Sequence, residues 1–244
     1  MAGINLQRPQ IIKRFAPLNP DIKTDSNAST IEGIVFDVDG TLCLPQYWMF
    51  KKMREQLGIG PGIDVITHMR GLPTDEDRKI AAAKIAAIEE EGMEKQIAQP
   101  GLSKLMAFLH SRGVKKALCT RNNEAPVLNL IANHMKGHEF DPIVTRDTPD
   151  VLPKPDPAGI RHIAERWGLK DSSNLLMIGD SIDDMTAGRR AGATTILLLN
   201  EHNEECKTHP DTDVSIARLD ELVEILDNGF DVTRHEYDEA ETLN

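Results

Sequence analysis

Short apolar runs alternate with amphipathic segments along most of this chain, and this alternation limits the possible folds more than any other feature. Five runs have the length and apolar content of buried strands, and they cover residues 31–36, 114–119, 143–145, 175–178 and 194–199. Most of the segments between them carry apolar residues at helical spacing. Apolar strands alternating with helices are typical of a parallel sheet covered on both faces. We therefore predict an α/β fold with a doubly wound parallel sheet.

Residues 45–99 interrupt this rhythm. Three consecutive segments have helical periodicity with no strand between them, namely 47–58, 64–70 and 76–92. Pro100 and Gly101 then mark the return to alternating strands and helices. We predict a small α-helical domain at 45–99, inserted into an α/β core formed by residues 31–44 and 100–227.

The two chain ends differ in composition from the core. The first twenty residues carry three basic residues and no acid, as mitochondrial presequences do, but three prolines would interrupt the helix that such a signal needs. We predict that residues 1–30 form an N-terminal arm, either disordered or draped over the core. Residues 228–244 are acidic and poor in apolar side chains, which predicts a frayed tail.

The formal net charge is −11, so the surface repels other polyanions. We expect neither a nucleic-acid partner nor a membrane partner, since no apolar run has the length of a membrane span. Three widely spaced cysteines without a CxxC motif are typical of a reducing compartment. These features predict a cytoplasmic protein, with mitochondria as the alternative, and they leave the oligomeric state open.

Polar residues suited to catalysis follow four of the predicted strands. The carboxyl ends of parallel strands share one edge of the sheet, where ligands bind in open α/β folds. Clustered carboxylates repel one another unless a hard cation such as Mg²⁺ joins them, and a lysine and a hydroxyl beside them suit a phosphoryl group. The sequence therefore predicts a magnesium-dependent phosphoryl-transfer site. Its residues are Asp37, Asp39, Thr120, Lys154 and Asp180, together with the backbone N–H groups that follow Thr120.

In this order, the four segments resemble the signature motifs of the haloacid dehalogenase-like superfamily. DVDGT at 37–41 resembles the first motif, Thr120 the second, Lys154 the third and GDSIDD at 179–184 the fourth. The helical insertion resembles the cap of the branch that contains phosphoglycolate phosphatase and β-phosphoglucomutase. Many members of that branch have an acidic residue and a serine after DGTL. This chain has Cys43, Leu44 and Pro45 there, so the resemblance assigns no substrate.

The resemblance implies a chemical role for each acidic residue. Asp37 would attack phosphorus and become an aspartyl-phosphate. Asp39 would protonate the leaving oxygen and later activate water. Mg²⁺ would be held by Asp37, the backbone carbonyl of Asp39 and Asp180, with Asp184 supporting the metal or its waters. Asp183 is better explained as a residue that caps the following helix.

The resemblance also implies a set of contacts to the substrate. Thr120, the backbone of Arg121, and Lys154 would bind the phosphoryl group. Residues 71–73 in the insertion look like part of the substrate-facing loop of the family cap, and Arg70 beside it is a candidate substrate-binding residue. His68, which also lies there, is better explained as a solvated residue.

These features imply a phosphatase that hydrolyses a small phosphorylated metabolite through an aspartyl-phosphate. Asp39 supports this interpretation, because the dehalogenase and phosphonatase branches of the superfamily lack an aspartate at this position. A sugar phosphomutase of the β-phosphoglucomutase type is an alternative, and it would return the phosphoryl group to the substrate. A catalytically retired scaffold that only binds phosphoesters is another. The motifs alone do not separate these functions.

Overall fold

The structure of the protein, a computed structural model, describes residues 10–235 of the 244-residue chain. Its main sheet has six parallel strands in the spatial order β4-β3-β2-β5-β6-β7. The prediction of a doubly wound parallel sheet is confirmed. Five strands coincide with predicted apolar runs, whereas β7, whose sequence VSI has a serine at its centre, has no such run. The strands are β2 (Gly33–Phe36), β3 (Lys116–Cys119), β4 (Ile143–Val144), β5 (Leu175–Gly179), β6 (Thr194–Leu198) and β7 (Val214–Ile216).

Helices cover both faces of this sheet, so its strands are apolar on both sides. Ile34 and Phe36 of β2 belong to one apolar cluster with side chains of α4, α5 and α8, whereas Val35 belongs to a second cluster with side chains of α6 and α7. The helices of the core are α4 (Leu102–Ser111), α5 (Glu124–His134), α6 (Ala158–Arg166), α7 (Ile182–Ala191) and α8 (Glu221–Asn228). A short 3₁₀ helix follows β6 at Glu204–Thr208.

Strand β2 occupies the position at which the winding of the sheet changes direction. It pairs with β3 on one side and with β5 on the other. The loops that follow β2 and β5 therefore face each other at the carboxyl edge, where a crevice for ligands forms in such sheets. Residues of the first and fourth motifs are brought together at this point.

Three helices lie between β2 and α4, as the sequence predicts, and they pack around an apolar cluster separate from the sheet. This cluster is built on Met53, Val65, Ile85 and Ile88. The helices are α1 (Tyr47–Leu57), α2 (Val65–Arg70) and α3 (Asp75–Glu94). Among the helices within residues 10–235, none combines the length and apolarity needed to cross a bilayer.

The chain enters and leaves this helical insertion through two adjacent segments. The N–H of Leu44 donates to the carbonyl of Ile97 at 2.8 Å, and the N–H of Gln99 donates to the carbonyl of Leu42 at 2.9 Å. These bonds tie both connections to the loop after β2. The helical insertion is thus attached beside the carboxyl edge of the sheet.

The two chain ends differ from the sequence-based prediction. Strands β1 (Gln10–Phe15) and β8 (Phe230–His235) form an antiparallel ribbon, in which the rings of Phe15 and Phe230 stack at a centroid distance of 5.0 Å. The prediction of a frayed tail is therefore wrong for β8, and the arm is ordered over β1. Strands that are so far apart in sequence cannot be recognised as partners from local composition. Residues 1–9 of the predicted arm and 236–244 of the predicted tail lie outside the described residues.

Candidate active site

Asp37 follows β2 directly and lies buried at the carboxyl edge, with 7% of its surface exposed. Its N–H donates to the carbonyl of Ile178 on β5 at 2.9 Å, so the strand pairing itself fixes its position. The equally buried Lys154 reaches it from the loop before α6, and its Nζ donates to Asp37 Oδ1 at 2.6 Å. The fold therefore joins the first and third motifs in a buried ion pair.

Asp180 and Asp184 complete a cluster of carboxylates around this ion pair. Carboxylate oxygens of Asp37, Asp180 and Asp184 all lie within 4.8 Å of one another. Asp184 Oδ1 accepts a hydrogen bond from Lys154 Nζ, and its Oδ2 accepts from the hydroxyl and the N–H of Ser181 at 2.6 and 3.1 Å. Both of its oxygens are thus already engaged, which holds Asp184 rigidly in the first turn of α7.

Asp180, at the end of β5, is oriented by residues from two other loops. Asn200 Nδ2, after β6, donates to its Oδ2 at 3.2 Å, and Thr41 Oγ1 donates to its Oδ1 at 3.4 Å. Asn203 Nδ2 donates to its backbone carbonyl at 2.7 Å. A Cβ atom at Gly40, whose φ is +87°, would lie 2.1 Å from Asp180 Oδ2. Glycine is therefore required where the first motif packs on the fourth.

The buried acids shift the pKa values within this cluster. Burial raises the pKa of Asp37 to about 8, against the attraction of Lys154 and with added repulsion from Asp184 and Asp39. Burial and repulsion from Asp184 raise the pKa of Asp180 to about 7. Burial alone would lower the pKa of Lys154, but attraction to Asp184 and Asp37 outweighs it and raises that pKa. The negative charge of the three carboxylates thus exceeds what the single positive charge of Lys154 can neutralise.

This donor set fits the predicted magnesium ion. A shared metal needs at least three acidic, histidine or cysteine side chains close together. Within residues 10–235, one group meets this condition, and it consists of Asp37, Asp180 and Asp184. Carboxylate oxygens are the ligands that Mg²⁺ prefers, and a divalent charge would favour the ionised form of each acid. The side chain of Asp39 is not part of this group.

Metal-free protein should lose stability as the pH rises from about 4 to about 8. The carboxyls of Asp37 and Asp180 have an ordinary pKa of 3.8, whereas their pKa values in the folded protein are about 8 and about 7. Between these values the folded state binds more protons than the unfolded state, so the free energy of unfolding falls with rising pH. Mg²⁺ should therefore raise the melting temperature more at pH 8 than at pH 5.

Thermal melts in EDTA and in MgCl₂ at both pH values measure this effect. Asp180→Asn should flatten the pH dependence in EDTA, because one of the two titrating groups is gone. An equal magnesium effect at pH 5 and pH 8 would contradict the assignment of the metal to these carboxylates.

Asp39 lies two residues beyond Asp37, at the open mouth of the site. Its Oδ2 accepts a hydrogen bond from Asn122 Nδ2 at 2.9 Å, which links the first motif to the loop after β3. Although the side chain reaches solvent, desolvation by the surrounding protein raises its pKa, while the bond from Asn122 opposes this shift. An elevated pKa suits a group that gives a proton to a leaving oxygen.

The loop after β3 contains the predicted phosphate-binding residues. Thr120 is buried, and its Oγ1 accepts a hydrogen bond from the N–H of Asn122 at 3.1 Å, so the hydroxyl proton stays available to another acceptor. The side chain of Arg121 turns away and pairs with Asp183 Oδ2 at 2.5 Å. The helix cap of α7 is Ser181, with Asp184 as its reciprocal partner. Asp183 lies in the first turn of α7, where its carboxylate suits the positive end of the helix dipole as predicted, but the capping hydrogen bonds themselves are made by Ser181 and Asp184.

The predicted cap residue Arg70 lies apart from the carboxylate cluster. It is exposed at the last position of α2 and lines a groove with residues of α2 and α3 alone. A role of Arg70 in substrate binding stays a prediction.

Sequence reasoning assigned no role to several residues that shape the site. Asn122 holds Asp39, Asn200 holds Asp180, and Ser181 holds Asp184. Asn122 and Ser181 stand inside two of the motifs, and Asn200 follows the fifth predicted strand, so a search of every strand end for hydrogen-bonding side chains would have found all three.

Comparison with known proteins decides the family. Residues 31–192 match the family model of the haloacid dehalogenase-like hydrolases. The chain belongs to this family. It is 39% identical over 203 residues to an uncharacterized hydrolase of Saccharomyces cerevisiae, covering 81% of this chain and 92% of the relative. It is 29% identical to the phosphoglycolate phosphatase of Neisseria gonorrhoeae, covering 68% and 79%.

A solved structure shows the same fold. The crystal structure of a hydrolase from Pseudomonas syringae superposes with a TM-score of 0.62 at 28% identity, covering 80% of this chain and 97% of that one. The protein is thus a hydrolase with the α/β core of its family.

Proposed function

We propose that this hydrolase is a magnesium-dependent phosphatase that acts on a small phosphomonoester through an aspartyl-phosphate at Asp37. The observation that carries the proposal is the buried contact of 2.6 Å between Lys154 and Asp37 within a cluster of three carboxylates. This arrangement gives a fixed nucleophile, a cation beside it and the ligands for a metal. Relatives named phosphoglycolate phosphatase support a phosphate ester as the substrate.

The first half of the reaction transfers the phosphoryl group to the protein. Because Lys154 donates its hydrogen bond to Asp37 Oδ1, the other carboxylate oxygen, Oδ2, is the one that attacks phosphorus. As the new bond to phosphorus forms, the ester bond breaks, and Asp39 gives its proton to the departing oxygen. Thr120 and the backbone N–H groups after it bind the phosphoryl oxygens, together with Lys154.

The second half releases inorganic phosphate. Asp39, now ionised, takes a proton from a water molecule that attacks the same phosphorus. The bond between phosphorus and Asp37 breaks, and both carboxylates return to their starting forms. Asn122 keeps the Asp39 carboxyl in place for both proton transfers.

Mg²⁺ would be held by Asp37, Asp180 and the backbone carbonyl of Asp39, with Asp184 supporting it. Its charge would offset the repulsion between these acids and the incoming phosphate. The carboxylates would then stay ionised at neutral pH, which the nucleophilic role of Asp37 requires.

Phosphate release from an aryl phosphate, with Mg²⁺ and with EDTA, tests the proposal directly. Wild type should release phosphate only with Mg²⁺, and Asp39→Asn should reduce kcat by about 10²-fold or more, the scale of general acid–base catalysis. Asp171→Asn is a matched control, because this exposed aspartate only accepts a local hydrogen bond from Ser173. A loss below tenfold in Asp39→Asn would count against the proton-transfer role, and release in EDTA would contradict the need for metal.

A further inference from the structure

One basic residue at the carboxyl edge of the sheet has no part in the chemistry described above. Arg146 stands two positions after the last residue of β4, on the same edge as Thr120 and Lys154. Its N–H donates to the carbonyl of Asn122 at 2.9 Å, and its Nε donates to the carbonyl of Arg121 at 3.0 Å. Two bonds therefore fix Arg146 against the loop that is expected to bind phosphate.

The neighbouring basic groups already have acidic partners, whereas Arg146 has none among the residues that the structure describes. Lys154 pairs with Asp37 and Asp184, and Arg121 pairs with Asp183. Within residues 10–235, no carboxylate lies within ion-pair distance of the Arg146 guanidinium, and its side chain is exposed. Its two terminal nitrogens can therefore donate a pair of parallel hydrogen bonds, a geometry that matches two oxygens of one carboxylate or phosphate.

The charge of Arg146 acts on groups that surround the mouth of the site. Desolvation raises the pKa of Asp39, the expected acid for the leaving group, and Arg146 acts against that shift. A hydrogen bond from Thr67 lowers the pKa of Asp64 on the insertion, and Arg146 adds to it. Burial raises the pKa of Glu89 on α3, and Arg146 again opposes the shift. Arg146 is bonded to Asn122, the residue that holds Asp39, and its charge also reaches the helical insertion. This is the side of the site toward which the leaving group of a substrate would extend.

We infer that Arg146 selects substrates whose leaving group carries a second anionic group, a carboxylate or a phosphate. This inference rests on the proposed function, because the transferred phosphoryl group defines which end of the substrate faces Arg146. Asp64 and Glu89, the two acids of the helical insertion on which this charge acts, would repel such a substrate. Arg146 supplies the compensating charge, with a geometry that a lysine does not reproduce.

Binding to the Asp37→Asn protein in MgCl₂ tests the inference without turnover. The probes are 2-phosphoglycolate and ethyl phosphate, which differ in a carboxylate, and calorimetry gives both Kd values. The carboxylate-bearing probe should bind about 10- to 100-fold more tightly, the range of hydrogen bonds to a charged group. Arg146→Gln in the same background should abolish this preference, and Arg146→Lys should retain part of it. Arg166→Gln, which removes an exposed charge from α6, should preserve it.

A second pair of probes, fructose 1,6-bisphosphate and fructose 6-phosphate, asks whether the second anion is a phosphate. A preference for the bisphosphate that is lost in Arg146→Gln supports the inference with phosphate as the anion. Equal loss of affinity for all probes in Arg146→Gln would overturn it, because Arg146 would then only support the loop that binds the phosphoryl group. Binding of ethyl phosphate without any preference would overturn it and leave the proposed function standing. Failure of every probe to bind would overturn both.

Discussion

Replacement of Asp37 by asparagine is expected to abolish phosphate release while leaving the fold intact. The amide has nearly the shape of the carboxylate, and its oxygen can still accept the hydrogen bond from Lys154 at the position now 2.6 Å away. It cannot form the bond to phosphorus, so activity should fall by at least about 10³-fold, the scale seen when a catalytic nucleophile is removed. Phosphate release from an aryl phosphate in MgCl₂ measures the loss, and urea denaturation checks the fold.

The activity and the folding of Asp37→Asn have to be measured on the same preparation. Activity retained by this variant would show that another group attacks phosphorus. A variant that is inactive because it does not fold would be recognised by a changed circular dichroism spectrum. Asp171→Asn should keep full activity, because this exposed aspartate lies outside the site and only accepts a bond from the Ser173 N–H.

Replacement of Lys154 by methionine is expected to damage both catalysis and stability. Lys154 is 5% exposed and forms ion pairs with Asp37 and Asp184. Methionine retains the apolar stem but leaves both acids without their cation. Removing one partner of a buried ion pair costs about 3 to 5 kcal/mol of stability, and the phosphoryl group loses a charged hydrogen bond. We expect the free energy of unfolding in EDTA to fall by about this amount and activity to fall by about 10²-fold or more.

The pH dependence of this loss identifies its cause. The Asp37 carboxyl takes up a proton below its pKa of about 8, and a neutral acid no longer needs the lysine. The destabilisation by Lys154→Met should therefore be larger at pH 9 than at pH 6. Lys116→Met is the matched control, since Lys116 is also buried but donates to the carbonyl of Val114, away from the carboxylates. Its destabilisation should not follow the titration of Asp37, and a change centred near pH 8 in both variants would contradict a loss caused by the broken ion pair.

The predicted function depends on local sequence patterns that can be recognised without a structure. Each apolar strand run is followed by a short polar segment, and sheet geometry requires those segments to meet at one edge. That reasoning predicts that Asp37, Lys154 and Asp180 lie together, and the structure brings these three side chains together. For Asp183 the sequence predicts a place at the start of a helix, and the structure puts it in the first turn of α7. Its ion pair with Arg121 could not be predicted, because the two residues are far apart in the chain.

The sequence by itself determined the sheet, the helical insertion and the order of the four motifs, because hydrophobic periodicity and strand ends are local properties of the chain. Only the tertiary structure decided which distant side chains meet. It paired β1 with β8, placed Asn200 on Asp180, and fixed Arg146 against the loop after β3. Such contacts depend on the register and direction of strands far apart in the chain, and a local pattern carries no information about them.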